Sequence, residues 1–329
     1  MSTNNGPIFV VGSPRSGTTI LTWCLGQHPN ILPMEESNWF APLALDLQAC
    51  YDSGSARRER SQLYAMGIGR DQLLRTVGDS ISRMLLNQRT SYEAASAQIA
   101  RTEAAHHNPP ASTFLLSRNS ADPKRRWVDG TPEYSLSVFG LRKLFPTSRF
   151  IHLVRDVYSV VRSMMLFARV AGFSLVKTEQ EAYEYWLRTV RACVLAERAF
   201  GSDVVQRVLY RDLVETPEPT IRRCLEFVGE SFSADCLLPL KVKINSSNVP
   251  DRYDPKDPKT DVNVRNDAHR LSEELLAEPR PAFSGAPEFA EELEAKFLKQ
   301  ARFRAWSEGE LVRRIEAERK DAVGKDAGA

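Results

Sequence analysis

Near its N-terminus the chain reads PIFVVGSPRSGTTIL, residues 7–21. The apolar run 7–12, bounded by proline and glycine, is expected to be a buried parallel strand. Residues 17–29 read as a helix closed by Pro29. Strand, glycine-rich turn and helix make a βα unit, so the chain is expected to build an α/β layer rather than a bundle or a sandwich. Gly12 and Gly17 keep the spacing of the phosphate-binding pattern GxxxxGK[ST]. Thr18 stands in place of the lysine and Thr19 keeps the hydroxyl.

Backbone N–H groups from 13 to 19 can still cradle an anion at the helix N-terminus. Without the lysine, nothing in the usual place bridges two phosphates, and no acidic strand end suited to Mg²⁺ is evident, which disfavours nucleotide hydrolysis. Arg15 supplies a charge from inside the loop, and an arginine fork holds oxyanions bidentately. Ser16, Gly17, Thr18 and Thr19 complete the loop. One arginine and several neutral donors suit an anion smaller than a Mg²⁺-bound triphosphate, and a 5′-phosphosulfate meets that description.

Downstream, strands and helices alternate. Residues 126–135 read as a short strand turning into a helix, with Thr131 as cap and Pro132 in the first turn. Residues 148–156 form the clearest strand and 157–170 the helix after it. A long amphipathic helix over 179–201 ends at Gly201, a strand follows at 204–210, and a helix over 217–229 ends at Gly229. The fold expected is α/β, a P-loop-like three-layer arrangement with a central parallel sheet flanked by helices. A helical insertion over about 41–110 follows the first βα unit; it either packs or walls the substrate cleft. Gly12, Asp129, Arg155 and Tyr210 all fall just after predicted strands, so four segments converge on one sheet edge. The domain is expected to cover 1–265, with 239–265 irregular, as a mobile loop or a lid over the acceptor. Residues 266–329 read as a helical extension with a disordered tail, its charge run a solvated face.

Composition narrows the partners. Lys+Arg total 44 against 42 Asp+Glu, a net charge of +2, which gives no global argument for nucleic acid or membranes. Any anion site must be local. The five cysteines are odd in number and lack CxxC spacing, so neither a disulfide framework nor a zinc site is implied. No apolar run approaches a membrane span, and the N-terminus lacks the pattern of a signal peptide. A soluble, cytoplasmic protein is expected, with no metal.

A second motif stands at FIHLVRDVYSVVRSMM, residues 150–165. Asp156, Ser159 and Ser163 recur at spacings of 3–4 and share one helix face. Arg155 precedes them at the helix N-terminus, where the dipole also favours an anion. A second clamp away from the loop calls for a ligand with two separated anionic groups. Together these segments resemble the sulfotransferase superfamily that uses 3′-phosphoadenylyl sulfate (PAPS). PRSGTT is similar to its 5′-phosphosulfate loop. The second segment is similar to its 3′-phosphate motif, an arginine ending a strand and a serine eight positions later, here Arg155 and Ser163. Residues 208–229 resemble its next block, whose tyrosine, here Tyr210, lies near the nucleotide. The resemblance runs from about residue 7 to 229 and is weakest over 41–125.

That resemblance implies a donor, PAPS, and transfer of its sulfuryl group to a hydroxyl on a small-molecule, carbohydrate or peptide acceptor. Cytosolic members use a histidine after the second conserved strand as base. RWVDGTPEYS, residues 126–135, has none. The chain is similar instead to the carboxylate-base branch, which includes tyrosylprotein sulfotransferases and bacterial enzymes. Its layout, repeated in GQHPNILPMEESNWF, lands on Glu36 as the base, with Glu35 the adjacent alternative. The branch often carries a lysine just before the Thr-Pro pair; here Gly130 stands there. Leaving-group stabilisation then passes to Arg15, or to Lys124, Arg125 or Arg126. Asp129 either contacts the acceptor or caps the helix, and Trp39 is a candidate acceptor contact. Trp186, His28 and His152 read as core or second-layer residues, and His106 and His107 have no metal spacing. Two other readings stay open: a P-loop kinase or nucleotide-binding protein, and a homologue that binds the bisphosphate without catalysis.

Overall fold

The computed structural model describes residues 6–104, 111–168, 172–242, 256–278, 281–282 and 284–326. Its centre is a sheet of five strands: β1 (Ile8–Val11), β2 (Ile31–Pro33), β3 (Arg126–Asp129), β4 (Arg149–Val154) and β5 (Val205–Leu209). Their order is β2-β3-β1-β4-β5. Every pairing is parallel, with Ile8 opposite both Val128 and Arg149, Ile31 opposite Arg126, and Phe150 opposite Val205. The expected α/β class and parallel sheet are therefore present.

The helices are α1 (Thr18–Gly26), α2 (Phe40–Ser55), α3 (Gln62–Ala65), α4 (Arg70–Asn87), α5 (Arg89–Glu103), α6 (Val138–Leu144) and α7 (Val157–Met165). After these come α8 (Glu179–Phe200), α9 (Tyr210–Glu215), α10 (Pro217–Val228), α11 (Val262–Ala277) and α12 (Pro287–Asp326). The period-two alternation of β1 separates two cores. Ile8 and Val10 face Leu21, Leu25 and Ile221 of α1 and α10. Phe9 and Val11 face Phe40, Trp127, Tyr134 and Phe150 in an aromatic cluster capped by α2, α4 and α6. Phe9 stacks on Phe150 at 5.2 Å between ring centroids and meets Trp127 edge-on at 5.4 Å. Two layers of helix thus enclose the sheet, and burial on both faces accounts for the uniformly apolar sequence of β1.

Several elements differ from expectation. The three-residue strand β2 was not foreseen, because Asn30 to Pro33 offers too short an apolar run to register. The helical insertion consequently lies between β2 and β3. Thr131 does not cap a helix with its side chain; residues Pro132–Leu136 form a 3₁₀ turn and α6 starts only at Val138. Asp129 makes the cap instead, its Oδ1 accepting from Thr131 N at 2.8 Å and Thr131 Oγ1 at 2.6 Å. Within 239–265, α11 begins at Val262 on the cap Asp261, whose side chain accepts from Asn263 N. Residues 243–255, where a lid was expected, and His106 and His107 lie outside the described residues. The backbone of α12 is helical to Asp326, into the stretch expected as a tail.

Two buried charges serve packing. Lys124 Nζ donates to the carbonyls of Gly26 (3.2 Å), His28 (2.8 Å) and Ile31 (2.8 Å), sewing the end of α1 to β2. Behind β4, Glu197 accepts from Arg207 Nε at 3.0 Å and bonds His152 Nδ1 at 2.7 Å. Among the described residues no helix is long and apolar enough to cross a membrane.

Candidate active site

Because all five strands run parallel, their carboxyl ends share one edge. The chain leaves β1 toward β3 on one side and reaches β4 on the other, so the loop after β1 opens where the strand order reverses, the usual position for a ligand. Gly12 starts that loop at φ +151°, and a Cβ there would lie 2.5 Å from the Leu153 carbonyl oxygen. Gly17 ends it in the left-handed region at φ 100° and forms the N-terminal cap of α1. Arg15 also has positive φ, 69°, an uncommon conformation for a residue with a side chain. That strain turns its guanidinium across the sheet edge. The Ser16 hydroxyl is buried and has no hydrogen-bond partner in the protein.

The two anion clamps inferred separately from sequence are in contact. Arg15 Nε donates to Ser163 Oγ on α7 at 3.1 Å. Arg155, at the end of β4, donates through Nη1 to the Arg15 carbonyl at 3.1 Å. Asp156 caps α7 by accepting from Ser159 N at 2.8 Å, which fixes the start of the helix next to Arg155. Arg155 lies 4.5 Å above the Tyr210 ring. The Cδ2–Cε2 edge of that ring fills the space beside Gly17, where a Cβ would come within 2.7 Å of it. Tyr210 is thus pressed between the loop and Arg155. Arg15 in turn rests 4.6 Å from the Phe167 ring. Burial lowers the Arg15 pKa, the neighbouring Arg155 lowers it further, and Glu36 opposes both. Two guanidinium groups held this close favour an anion between them.

Glu36 follows β2 in a segment without helix or strand, residues 34–39. Thr19 Oγ1, on the first turn of α1, donates to Glu36 Oε1 at 3.5 Å. The Glu36 carboxylate is partly shielded by protein and stays open to solvent. Burial pushes it up to about 7; Glu133, Asp129 and Glu35 add repulsion, and the Thr19 bond offsets part of this. Glu35 is raised by burial, Glu103 and Asp129. Its backbone N–H, at 2.9 Å, is held by the Tyr92 hydroxyl.

Other candidates fall outside the cleft. Asp129 is fully buried, its carboxylate engaged with Thr131, so the capping role is the one its position allows. Trp39 is 38% exposed at the start of α2. Trp186 is fully buried. His28 accepts from Asn30 N through Nδ1 and bonds the Ser231 carbonyl through Nε2, a structural role. Lys124 and Arg126 sit at the opposite end of β3, bound to carbonyls, and neither reaches the cleft. Position 130 has no room for a side chain: a Cβ would lie 2.1 Å from Thr22 Oγ1. Arg125 precedes β3 at the same end as Lys124 and Arg126, its N–H bound to the Asn30 carbonyl at 2.8 Å, so of the four candidates Arg15 is the one that stands in the loop.

Sequence reading missed Phe167, Tyr92, Glu133 and Tyr185. Phe167 stands one helical turn beyond Ser163, a spacing that could have flagged it. Tyr185 donates its hydroxyl to Glu133 Oε1, and Tyr92 arrives from the helical insertion. Neither pair shares a local motif with the loop. Among the described residues no group of three or more His, Cys, Asp or Glu is arranged to hold a metal ion.

A parallel α/β sheet with a glycine-framed loop at its switch point defines a P-loop-like fold. The family model described as "Sulfotransferase family" matches residues 7–234, more than half of the chain, and the chain belongs to that family. It is 28% identical to protein-tyrosine sulfotransferase 2 of Gallus gallus over 227 residues, 69% of this chain and 52% of that protein. It is 26% identical to a putative protein-tyrosine sulfotransferase of Caenorhabditis briggsae, over 70% of this chain and 68% of that one. The match thus spans about half the length of the chicken relative. Among solved structures, the sulfotransferase domain of the Synechococcus PCC 7002 olefin synthase superposes with a TM-score of 0.51 at 22% identity. That superposition covers 83% of this chain and 94% of the domain, a likeness of fold.

Proposed function

We propose that the protein transfers a sulfuryl group from PAPS to a hydroxyl of a peptide or protein acceptor, with Glu36 as general base. One observation carries this reading: base, loop and second clamp touch in sequence. Thr19 joins Glu36 to the loop, Arg15 joins the loop to Ser163, and Arg155 closes on the Arg15 carbonyl. A donor with a 5′-phosphosulfate and a 3′-phosphate fits these residues. The buried Ser16 hydroxyl lacks a protein partner, and Arg15 and Arg155 repel each other without an anion. Ser16, Gly17, Thr18 and Thr19 would hold the 5′ end. Arg155 and Ser163 would hold the 3′-phosphate, with Tyr210 beside the nucleotide. The protein-tyrosine sulfotransferase relatives support a peptide acceptor.

In the transfer, the acceptor hydroxyl gives its proton to Glu36, its oxygen forms the new bond to sulfur, and the bridging bond to the donor phosphate breaks. The electron pair leaves with adenosine 3′,5′-bisphosphate. Arg15 and the loop N–H groups stabilise the charge that collects there. A base with a pKa near neutrality suits this work. Tyrosine peptides incubated with donor carrying ³⁵S are expected to retain label, and Glu36→Gln is expected to abolish labelling while still binding adenosine 3′,5′-bisphosphate.

The closed packing at Gly130 favours a second reading, a homologue that binds the bisphosphate without transfer. It requires equal binding and no labelled product with any acceptor, the outcome that would displace the first.

A further inference from the structure

The proposed base stands on a segment that no secondary structure supports. Residues 34–39 form neither helix nor strand, and Asn38 adopts a positive φ of 57°. A carboxylate on such a stretch would ordinarily sample many positions, at a cost to any reaction that needs it in line. The segment is tied down at both ends. Met34 N donates to the Val128 carbonyl at 2.9 Å, which extends the sheet by one residue. Beyond this, tyrosine hydroxyls make the ties. Tyr92 of α5 accepts from Glu35 N at 2.9 Å. Tyr134 of the 3₁₀ turn accepts from Phe40 N at 3.1 Å and shares a short hydrogen bond with Ser37 Oγ. Glu36 sits between the two attachments, one residue from the first and one from the second.

From this geometry we infer that the hydroxyls of Tyr92 and Tyr134 are positioning groups that hold Glu36 against the loop. The inference rests on Glu36 as the base of the proposed reaction. Each tyrosine comes from a different part of the chain. Tyr134 is buried in the aromatic core beside Phe9 and Phe40, so its hydroxyl is fixed relative to β1. Tyr92 is half-buried on the insertion, and burial pushes it up to about 12, so it remains a hydroxyl throughout the physiological range. The insertion thereby reaches the chemistry through one atom while its helices pack elsewhere. Position matters here because of the groups that face Glu36. Arg15 and Thr19 lie on the loop side, Asp129 at the end of β3, Glu133 on the 3₁₀ turn after it, and Glu35 on the same segment. Tyr185 of α8 also feels its charge. Movement of a few ångströms would take the carboxylate out of this crowd and away from Thr19.

Tyr92→Phe and Tyr134→Phe delete single oxygens and keep the rings. The first readout is the titration of Glu36 by NMR of protein labelled with ¹³C-carboxyl glutamate, the signal assigned by its loss in Glu36→Gln. The wild type is expected to titrate near 7. In each variant the midpoint should fall toward the ordinary carboxylate range. The second readout is turnover of ³⁵S-labelled donor with a tyrosine peptide. Here kcat should fall about tenfold or more, with the affinity for adenosine 3′,5′-bisphosphate within twofold of wild type. Tyr92, being half-buried, serves if Tyr134→Phe does not fold. An unchanged Glu36 midpoint and unchanged kcat in Tyr92→Phe would overturn the inference. If no peptide is labelled by the wild type, the transfer reading fails, while the NMR midpoint still decides the clamp.

Discussion

Glu36 holds its proton up to near neutrality because partial burial and three carboxylate neighbours all oppose its charge. As a base it must be ionised, so kcat/KM is expected to rise with pH through about 7 and then level off. A profile flat from pH 5 to 8 would remove Glu36 from the role. Glu36→Gln should lower kcat by about 10²–10⁴-fold. The same shift acts on stability with a definite sign. A carboxyl raised on folding contributes stability that is present below its unfolded pKa and is lost as pH rises through about 7. Glu36→Gln should therefore gain in melting temperature relative to wild type at pH 8 and much less at pH 5. Arg155→Ala should weaken binding of adenosine 3′,5′-bisphosphate about 10- to 100-fold, the worth of a charge-assisted contact. Among the single residues proposed for the site, Arg15, Arg155 and Ser163 stand in short stretches whose pattern suggests anion binding, whereas Glu36 and Tyr210 took their roles from the family resemblance alone. Tyr92, Glu133 and Tyr185 were not legible, since they reach the site only through tertiary packing.

The element with least tolerance is the turn into α1. Gly17 combines a φ of 100° with a Tyr210 ring 2.7 Å from any Cβ. Gly17→Ala should cost about 1–3 kcal/mol of stability, measured by urea denaturation, and should displace Tyr210 and with it Arg155. A second element-level device joins β4, α8 and β5. Burial alone would raise Glu197, but His152 and Arg207 outweigh it and hold the carboxyl down to about 2. Its contribution is present above the unfolded carboxylate pKa and is lost as pH falls through about 2. Glu197→Gln leaves a buried arginine without its partner and should cost about 3–5 kcal/mol, read from the same denaturation curves. Strand β1 could be read because its four residues are all apolar and buried, and β3, β4 and β5 because each keeps an apolar segment among its polar residues. Three-residue β2 could not, and Thr131 holds the cap position of a 3₁₀ turn without a side-chain cap bond, its N–H and hydroxyl both being bound to Asp129.

For the molecule as a whole, the sheet order explains why residues scattered from 15 to 210 meet. Parallel strands put every βα turn on one edge, and the reversal beside β1 leaves a gap there. Separate cationic clamps, as read along the chain, become one continuous surface once β1 and β4 pair with Val11 opposite His152. That contact could not be read from sequence, since 140 residues part Arg155 from the carbonyl it binds. With a net charge of only +2, anion binding must come from this local surface. The most direct test is isothermal titration calorimetry with adenosine 3′,5′-bisphosphate and adenosine 5′-monophosphate side by side. The joined clamps predict that loss of the 3′-phosphate weakens association by about tenfold or more. Equal dissociation constants for the two nucleotides would contradict it.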